Sequence, residues 1–380
     1  MIAWLLISFF VLLFLGVPIA MSLGLSAMGG ILFLGGGSTV TIAQRMFEGM
    51  NSFALLAIPL YTFAGFTMSK GGISKRLMDF CYSIVGHIYG GLAHVNVLSS
   101  MIFAGISGSA VADTAGVSGM FMPEMVRKGY SKNFTVAVTA ISSTIGIIIP
   151  PSIPMVVIAG ICGISTGKLF LGGIIPGVLC GLAQMIVSYF MAKKEGVPKE
   201  PGHFTIGPVL HGLWESWPAL LMPIIIVGTI TMGIVSPTEA GVIAVVYGLF
   251  AGGIIYRELK WEDIKFAFAE TVRTSGRIFI VIGAAKLYTV MLTTAGFDKW
   301  VAKTMLGFST NPTVILIMIL LIFFIVTMFM ESIATLTLFM PILYPIALGV
   351  GINPIVLSVL ITVVIGVGLV TPPVGMCIYV

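Results

Sequence analysis

The feature that most constrains this chain is a series of apolar runs long enough to cross a lipid bilayer as helices. Residues 2–24, 218–235 and 314–330 approach or meet the ~20 apolar residues such a helix needs. Charged residues make up 9% of the 380-residue chain, against roughly 25% in soluble domains. The runs are continuous rather than alternating, which argues against a transmembrane β-barrel. The sequence predicts an all-α polytopic membrane protein. It excludes a soluble enzyme fold, a nucleic-acid-binding domain and a secreted disulfide scaffold. Cys81, Cys162, Cys180 and Cys377 lie scattered in apolar segments without a CxxC and read as small buried hydrophobes. The first ten residues carry no basic cluster, and the apolar run continues beyond them. It reads as a first span rather than a cleaved signal.

Basic residues set the orientation, because cytoplasmic loops carry the excess of Lys and Arg. Four clusters stand out: Lys70, Lys75 and Arg76; Arg127, Lys128 and Lys132; Lys193, Lys194 and Lys199; and Arg257, Lys260, Lys265, Arg273 and Arg277. They hold 14 of the 19 basic residues. Placing all four in the cytoplasm leaves Arg45, Lys168, Lys299 and Lys303 outside and Lys286 within a span. Residues 77–126 then begin and end on the cytoplasmic side, broken at Ser107-Gly108-Ser109-Ala110-Val111-Ala112-Asp113, which predicts a helical hairpin turning inside the membrane. Residues 312–349, broken at Glu331-Ser332, predict a second hairpin from the outside. Residues 2–35 read as one long, bent N-terminal span, and 193–216 and 256–271 as linkers with short surface helices. Trp214, Trp217 and Trp261 fall where interfacial aromatics belong. The chain ends nine residues after Thr371, from which a further C-terminal stretch is expected to be missing.

Two broken elements recur in order. The tip at 107–113 is followed by a span broken at Ile149-Pro150-Pro151-Ser152-Ile153-Pro154. The tip at 331–335 is followed by one broken at Thr371-Pro372-Pro373-Val374-Gly375. Ser109 and Pro150 are 41 residues apart, and Ser332 and Pro372 are 40 apart. The halves enter from opposite sides, the pattern of inverted repeats in a secondary transporter with its ligand at the interrupted helices. A Pro-Pro pair removes two N–H donors and frees upstream carbonyls. In lipid such carbonyls cost several kcal/mol each unless protein, water or a cation satisfies them. Carbonyls beside Ser or Thr hydroxyls suit a hard cation such as Na⁺, and half-helix N-termini attract anions. The resulting units are a scaffold span over 1–50, a first repeat over 51–192, a linker over 193–216, scaffold spans with a linker over 217–271, and a second repeat over 272–380.

These residues resemble the large membrane subunit of tripartite ATP-independent periplasmic transporters. The resemblance rests on Gly90-Gly91-Leu92-Ala93-His94-Val95-Asn96-Val97, Met101-Ile102-Phe103-Ala104-Gly105-Ile106 running into the first tip, Ser142-Ser143-Thr144-Ile145-Gly146, both Pro-Pro motifs, and Ser236-Pro237-Thr238-Glu239-Ala240. It implies a Na⁺-coupled importer of organic anions such as C4-dicarboxylates or sialic acids, working as an elevator in a bacterial or archaeal inner membrane. Its implied partners are a small four-helix membrane subunit and a periplasmic substrate-binding protein. No cofactor beyond the coupling Na⁺, no transition metal and no nucleic acid is implied. Carried over by position, the first Na⁺ site takes Ser107, Gly108, Ser109, Ser143 and Ile149. The second takes Ser332, Ala334, Thr335, Gly366, Thr371 and Val374. Substrate would lie between the tips, at Ser109, Ala110, Asp113, Ser152, Thr335 and Pro373. The sequence departs from the family pattern at Phe66, Val364 and Cys377, each less polar than the family's usual residue.

Individual polar residues have competing readings. Asp113 supports the first tip or caps the helix after it. Glu331 compensates a cation or caps the helix starting at Ser332. Glu239 reads as a cap. Arg277 lies close enough to the boundary to snorkel, and Lys286 reads as a partner for an acid or a helix end. His94 and Asn96 are expected to bond backbone near the first tip, and His87, His203 and His211 to be interfacial. The nearest rival reading is a stand-alone di- or tricarboxylate cotransporter that needs no binding protein. A membrane-embedded enzyme would want a catalytic cluster, and the sequence offers no His-metal set, Ser–His pair or Asp dyad at membrane depth. Two closed tips also argue against a channel.

Overall fold

The protein, as a computed structural model, is described over residues 1–35, 38–197 and 204–380. Lys199 and His203 lie outside the described residues, as does the middle of the expected 193–216 linker.

The N-terminal apolar stretch is two helices rather than one long span. Helix α1 (Ile2–Phe14) ends before Gly16, whose φ is +81°, and Pro18 precedes α2 (Ile19–Leu34). Glycine adopts this left-handed geometry without penalty, and proline cannot continue the preceding helix. Helix α2 folds back along α1. Ser26 Oγ donates to the Leu5 carbonyl at 2.9 Å, and Trp4 Nε1 donates to the Ser26 carbonyl at 3.3 Å. The Trp4 ring lies against Gly29, where a Cβ would stand 2.8 Å from it.

Helix α3 (Thr39–Met50) is capped by Ser38 and leads through a 3₁₀ turn, Phe53–Leu56, into α4 (Ala57–Lys70). Together they run antiparallel along a much longer partner, α13 (Trp261–Thr294). At 34 residues α13 is about 51 Å long. Gly49 abuts the Lys286 stem, Phe63 meets Phe268 edge-on at 6.4 Å, and Lys70 Nζ stands 4.7 Å above the Phe266 ring. The Lys286 stem packs on Gly49, and the neighbouring Glu48 pairs with Arg45 at 2.7 Å.

Helices α11 (Ile206–Thr231) and α12 (Pro237–Phe250, with a wider closing turn Ala251–Ile255) complete this group. Tyr61 donates to the Pro237 carbonyl at 2.8 Å, and Thr238 to that of Phe53 at 3.0 Å. Helix α12 starts with a capping box in which Ser236 and Glu239 satisfy each other's backbone N–H groups, so Glu239 is a cap. The expected surface helices over 193–216 and 256–271 are largely the opening turns of α11 and α13. The polar residues there continue the helical backbone into the apolar span, in α11 through Pro218 and Pro223. Trp214, Trp217 and Trp261 are exposed. Among the described residues six helices are long and apolar enough to cross a membrane, among them Thr166–Lys194, Ile206–Thr231 and Trp261–Thr294.

One order of elements then occurs twice. After α4, Gly72 (φ +75°) opens the amphipathic helix α5 (Ile73–Val85); after α13, Gly296 (φ +81°) opens α14 (Phe297–Phe308). Helices α6 (Gly91–Ser107) and α7 (Ala110–Arg127) form the first hairpin. Helices α15 (Pro312–Thr327) and α16 (Ser332–Gly349) form the second. The first broken span is α8 (Lys132–Ser143), a 3₁₀ turn Thr144–Ile147, the Pro-Pro break and α9 (Ile153–Cys162). Its counterpart is α17 (Pro354–Gly368) and the break after it. Both Pro-Pro peptide bonds are cis. Helix α10 (Thr166–Lys194) packs across the first break.

Helix α5 is fastened through Arg76. Its guanidinium pairs with Glu258 at 2.7 Å and stacks 4.3 Å over Tyr256, and its carbonyl accepts from Ser216 at 2.9 Å.

Candidate site at the hairpin tips

Each tip is shaped by its own cap. At the first, Gly108 turns left-handed (φ +67°) and ends α6. Ser109 then starts α7 by accepting from the Ala112 amide at 3.4 Å. A Cβ on Gly108 would stand 2.6 Å from the Pro151 carbonyl oxygen, so only glycine lets the tip settle on the break. At the second tip the cap is an acid. Glu331 accepts from the amides of Ile333 at 2.9 Å and Ala334 at 3.4 Å, and from the Ser332 hydroxyl. This is the capping role weighed for Glu331, and a carboxylate there also complements the helix dipole.

Asp113 does not cap α7; Ser109 does. Asp113 sits one turn inside the helix and reaches back to the tip, where the Ser107 hydroxyl donates to its Oδ1. That hydroxyl in turn accepts from the Ser109 amide at 3.2 Å. Asp113 is buried, at 2% exposure, and its Oδ2 has no hydrogen-bond partner. That oxygen faces Gly146 in the first broken span, where a Cβ would collide with it. A buried carboxylate with a single protein donor is costly, which marks this as a place suited to a positive charge.

Each tip is tied to its break by backbone. The Ile153 amide donates to the Gly108 carbonyl at 3.1 Å, and the Val374 amide to the Met328 carbonyl at 3.1 Å. The carbonyls freed by the first Pro-Pro pair are partly covered. Ser152 donates to Ile147 O at 2.5 Å while capping α9, and Gly173 of α10 lies directly on Ile148 O.

The two halves also meet. Gly366 of α17 packs against Thr144 of the first broken span, with its would-be Cβ 3.4 Å from the Thr144 Cβ. Past the second break, the turn Met376–Ile378, which holds the buried Cys377, packs against α7 and α8 of the first half. Cys377 is therefore part of this region, and it was not singled out as a ligand from the sequence. Thr114, one residue beyond Asp113, is buried there and donates to the Ala110 carbonyl at 2.8 Å.

Among the residues expected to bind, Ser107, Gly108, Ser109, Ala110, Asp113, Ile149 and Ser152 gather at the first tip and break. Ser332, Ala334, Thr335, Thr371, Pro373 and Val374 gather at the second, and Gly366 faces the first. Several hydroxyls are turned onto backbone of their own segment: Ser143 to Thr139 O at 2.7 Å, Thr335 to Glu331 O at 3.0 Å, Thr371 to Val367 O at 2.6 Å. A hydroxyl that donates in this way still offers its oxygen lone pairs to a cation. Among the described residues no Lys or Arg bonds at either tip, and no three His, Cys, Asp or Glu side chains group as metal ligands.

Asn96 and His94 depart from expectation. His94 Nε2 bonds the Tyr89 carbonyl at 3.2 Å, at the start of α6. Asn96 bonds side chains of α8 rather than tip backbone, because it lies nearly three helical turns from the tip and faces Thr139 and Ser142.

The backbone architecture matches solved transporters. The Alcanivorax borkumensis YdaH transporter superposes with a TM-score of 0.60 at 13% identity, over 89% of this chain and 79% of that one. The Neisseria gonorrhoeae MtrF antimetabolite efflux pump does so with a TM-score of 0.60 over 90% and 76%. Sequence relatives are nearer. A permease protein from Oleidesulfovibrio alaskensis, described as an isethionate TRAP transporter DctMQ, is 38% identical over 98% of this chain, which spans only 59% of that protein's length. The sialic acid TRAP large permease SiaM of Vibrio cholerae is 36% identical over 97% of this chain and 86% of its own. The C4-dicarboxylate large permease DctM of Pseudomonas aeruginosa is 37% identical over 94% and 84%. The family model for the DctM component of tripartite ATP-independent periplasmic transporters matches residues 6–380. By that match and these relatives, the chain belongs to the DctM family of TRAP transporter large permeases.

Proposed function

We propose that this chain is the large membrane subunit of a Na⁺-coupled importer that takes an organic anion from a periplasmic binding protein and works with a small four-helix membrane subunit in the inner membrane. The observation that carries the reading is that each capped tip is bonded to its own Pro-Pro break, with Asp113 at the first tip and Glu331 at the second, and that the halves touch where Gly366 meets Thr144 and the turn Met376–Ile378 meets α7 and α8. With no Lys or Arg bonding at the tips among the described residues, the anion is held by the N-termini of α7, α9 and α16, by hydroxyls, and by the coupling cations.

The two-helix N-terminus makes the membrane topology more regular. If α1 enters from outside and α2 returns, α3 and α4 cross inward, and the first hairpin enters from the cytoplasm. Helices α11, α12 and α13 then repeat that path in the opposite sense, and the second hairpin enters from outside. The halves are inverted repeats in this reading. The hairpins and broken helices move as an elevator against α1–α4 and α11–α13.

The test is uptake into proteoliposomes holding this chain with its small subunit. A panel of carboxylates and sulfonates is offered with and without the binding protein and an inward Na⁺ gradient. Uptake needing both supports the reading. Uptake with Na⁺ alone moves the chain to the stand-alone cotransporters, and uptake indifferent to Na⁺ rejects the coupling.

A further inference from the structure

The first hairpin is joined to the first broken span by a chain of buried side-chain hydrogen bonds. Asn96 Nδ2 on α6 donates to Thr139 Oγ1 on α8 at 2.9 Å. Ser142 Oγ is 3.0 Å from Asn96 Oδ1, and Ser100 Oγ is 3.0 Å from Ser142 Oγ. All four residues are essentially inaccessible, at 0–1% exposure. The Tyr130 hydroxyl, just before α8, adds a bond from the Leu92 amide at 3.2 Å. A buried side-chain network of this kind favours one relative placement of the elements it joins.

The matching pair in the second half is held differently. Among the described residues, α15 and α17 share no side-chain hydrogen bond. Thr327, Ser358 and Thr362 each donate to a carbonyl of their own helix. What brings the two helices together is Gly368 lying on Thr327, between apolar faces. Such a contact holds the pair by close packing, with no side-chain hydrogen bond to fix the register.

The geometry points to Asn96, Thr139 and Ser142 as positioning residues that lock the first hairpin and α8 into one body. The tip 107–109 and the chain over 143–149 thus stand ready to receive a cation, while the second tip and its break, joined by the backbone bond from Val374 to Met328 without such a side-chain network, hold their placement less firmly. This rests on the Na⁺-coupled reading for its transport consequences, but the difference in rigidity stands apart from it.

Two measurements separate these. Hydrogen exchange on the Na⁺-free protein in nanodiscs reads rigidity alone. Amides of α6 and the first tip should exchange at least tenfold more slowly than those of the second tip at 329–335. Equal or reversed rates would overturn the inference whatever the coupling ion. The second is the Na⁺ concentration for half-maximal uptake in Thr139→Val, which keeps the shape and removes the hydroxyl, with Thr139→Ser as the conservative variant. Losing one buried partner should raise that concentration roughly 5- to 30-fold in Thr139→Val, with Thr139→Ser near wild type. A Thr139→Val protein that is less thermostable but has an unchanged Na⁺ requirement would make the network merely structural and overturn the positioning role. A wild type whose uptake ignores Na⁺ would instead defeat the coupled reading and, with it, the transport half of this inference.

Discussion

The Ile153 amide donates to the Gly108 carbonyl at 3.1 Å, joining the last turn of one hairpin helix to the first turn after a Pro-Pro break. The same bond recurs between Val374 and Met328. A proline pair leaves the following backbone without helical partners, and here each hairpin supplies one. Tip and break are thereby one structural unit in each half.

Gly108 is where that unit is least tolerant. Its φ of +67° and the Pro151 carbonyl 2.6 Å from a would-be Cβ leave alanine both strained and obstructed. The left-handed conformation alone costs about 1–2 kcal/mol. Gly108→Ala should lower uptake at least tenfold in protein that still reaches the membrane. Uptake near wild type would show that the tip does not need this approach to the break.

Ser109 and Thr371 test the proposed cation sites. Ser109→Ala and Thr371→Ala should each weaken Na⁺-dependent uptake while leaving membrane levels unchanged, as measured by initial rates against Na⁺ concentration. Undiminished Na⁺ dependence in both would remove the assignment of the sites to these tips.

Glu331 caps α16 through two amides. Glu331→Ala should lower the thermal unfolding midpoint, by about 1 kcal/mol in stability terms. Glu331→Gln should recover most of that, because its amide oxygen can still accept. Equal losses in the two variants would mean that charge rather than capping is what the position supplies.

Helix α10 presents Gly173, Gly177 and Gly181 to the first break and to Met101 of α6. Gly173→Leu would force a side chain onto the Ile148 carbonyl, and over-packing of this kind costs about 1–3 kcal/mol. Gly116→Leu, where nothing lies within 4 Å, serves as the control. The account expects a clear fall in detergent-stable protein for the first and little change for the second. Equal behaviour would mean that α10 does not seal the break.

Much of this was legible because the strongest signals are local. A Ser-Gly-Ser or Glu-Ser tip between apolar runs, and a Pro-Pro pair within one, have only a few backbone solutions in lipid. The helices are accordingly interrupted at both tips and at both Pro-Pro pairs. Other features depend on packing between distant segments. That residues 2–35 form two helices rests on a Gly-Val-Pro turn within an otherwise continuous apolar run, and hydropathy passes over it. Asn96 looks like a tip residue in sequence, but its partners Thr139 and Ser142 lie more than forty positions away. Asp113 was readable as intramembrane, whereas its pairing with Ser107 rather than with helix amides follows from where Gly108 turns the chain.

The most direct test of the central claim is to follow ²²Na⁺ and labelled substrate together in proteoliposomes holding this chain, its small subunit and the binding protein. The account expects substrate-loaded binding protein to trigger Na⁺ entry in fixed proportion to substrate entry, with both lost in the Ser109→Ala and Thr371→Ala double variant. Substrate entry without accompanying Na⁺ entry would contradict it.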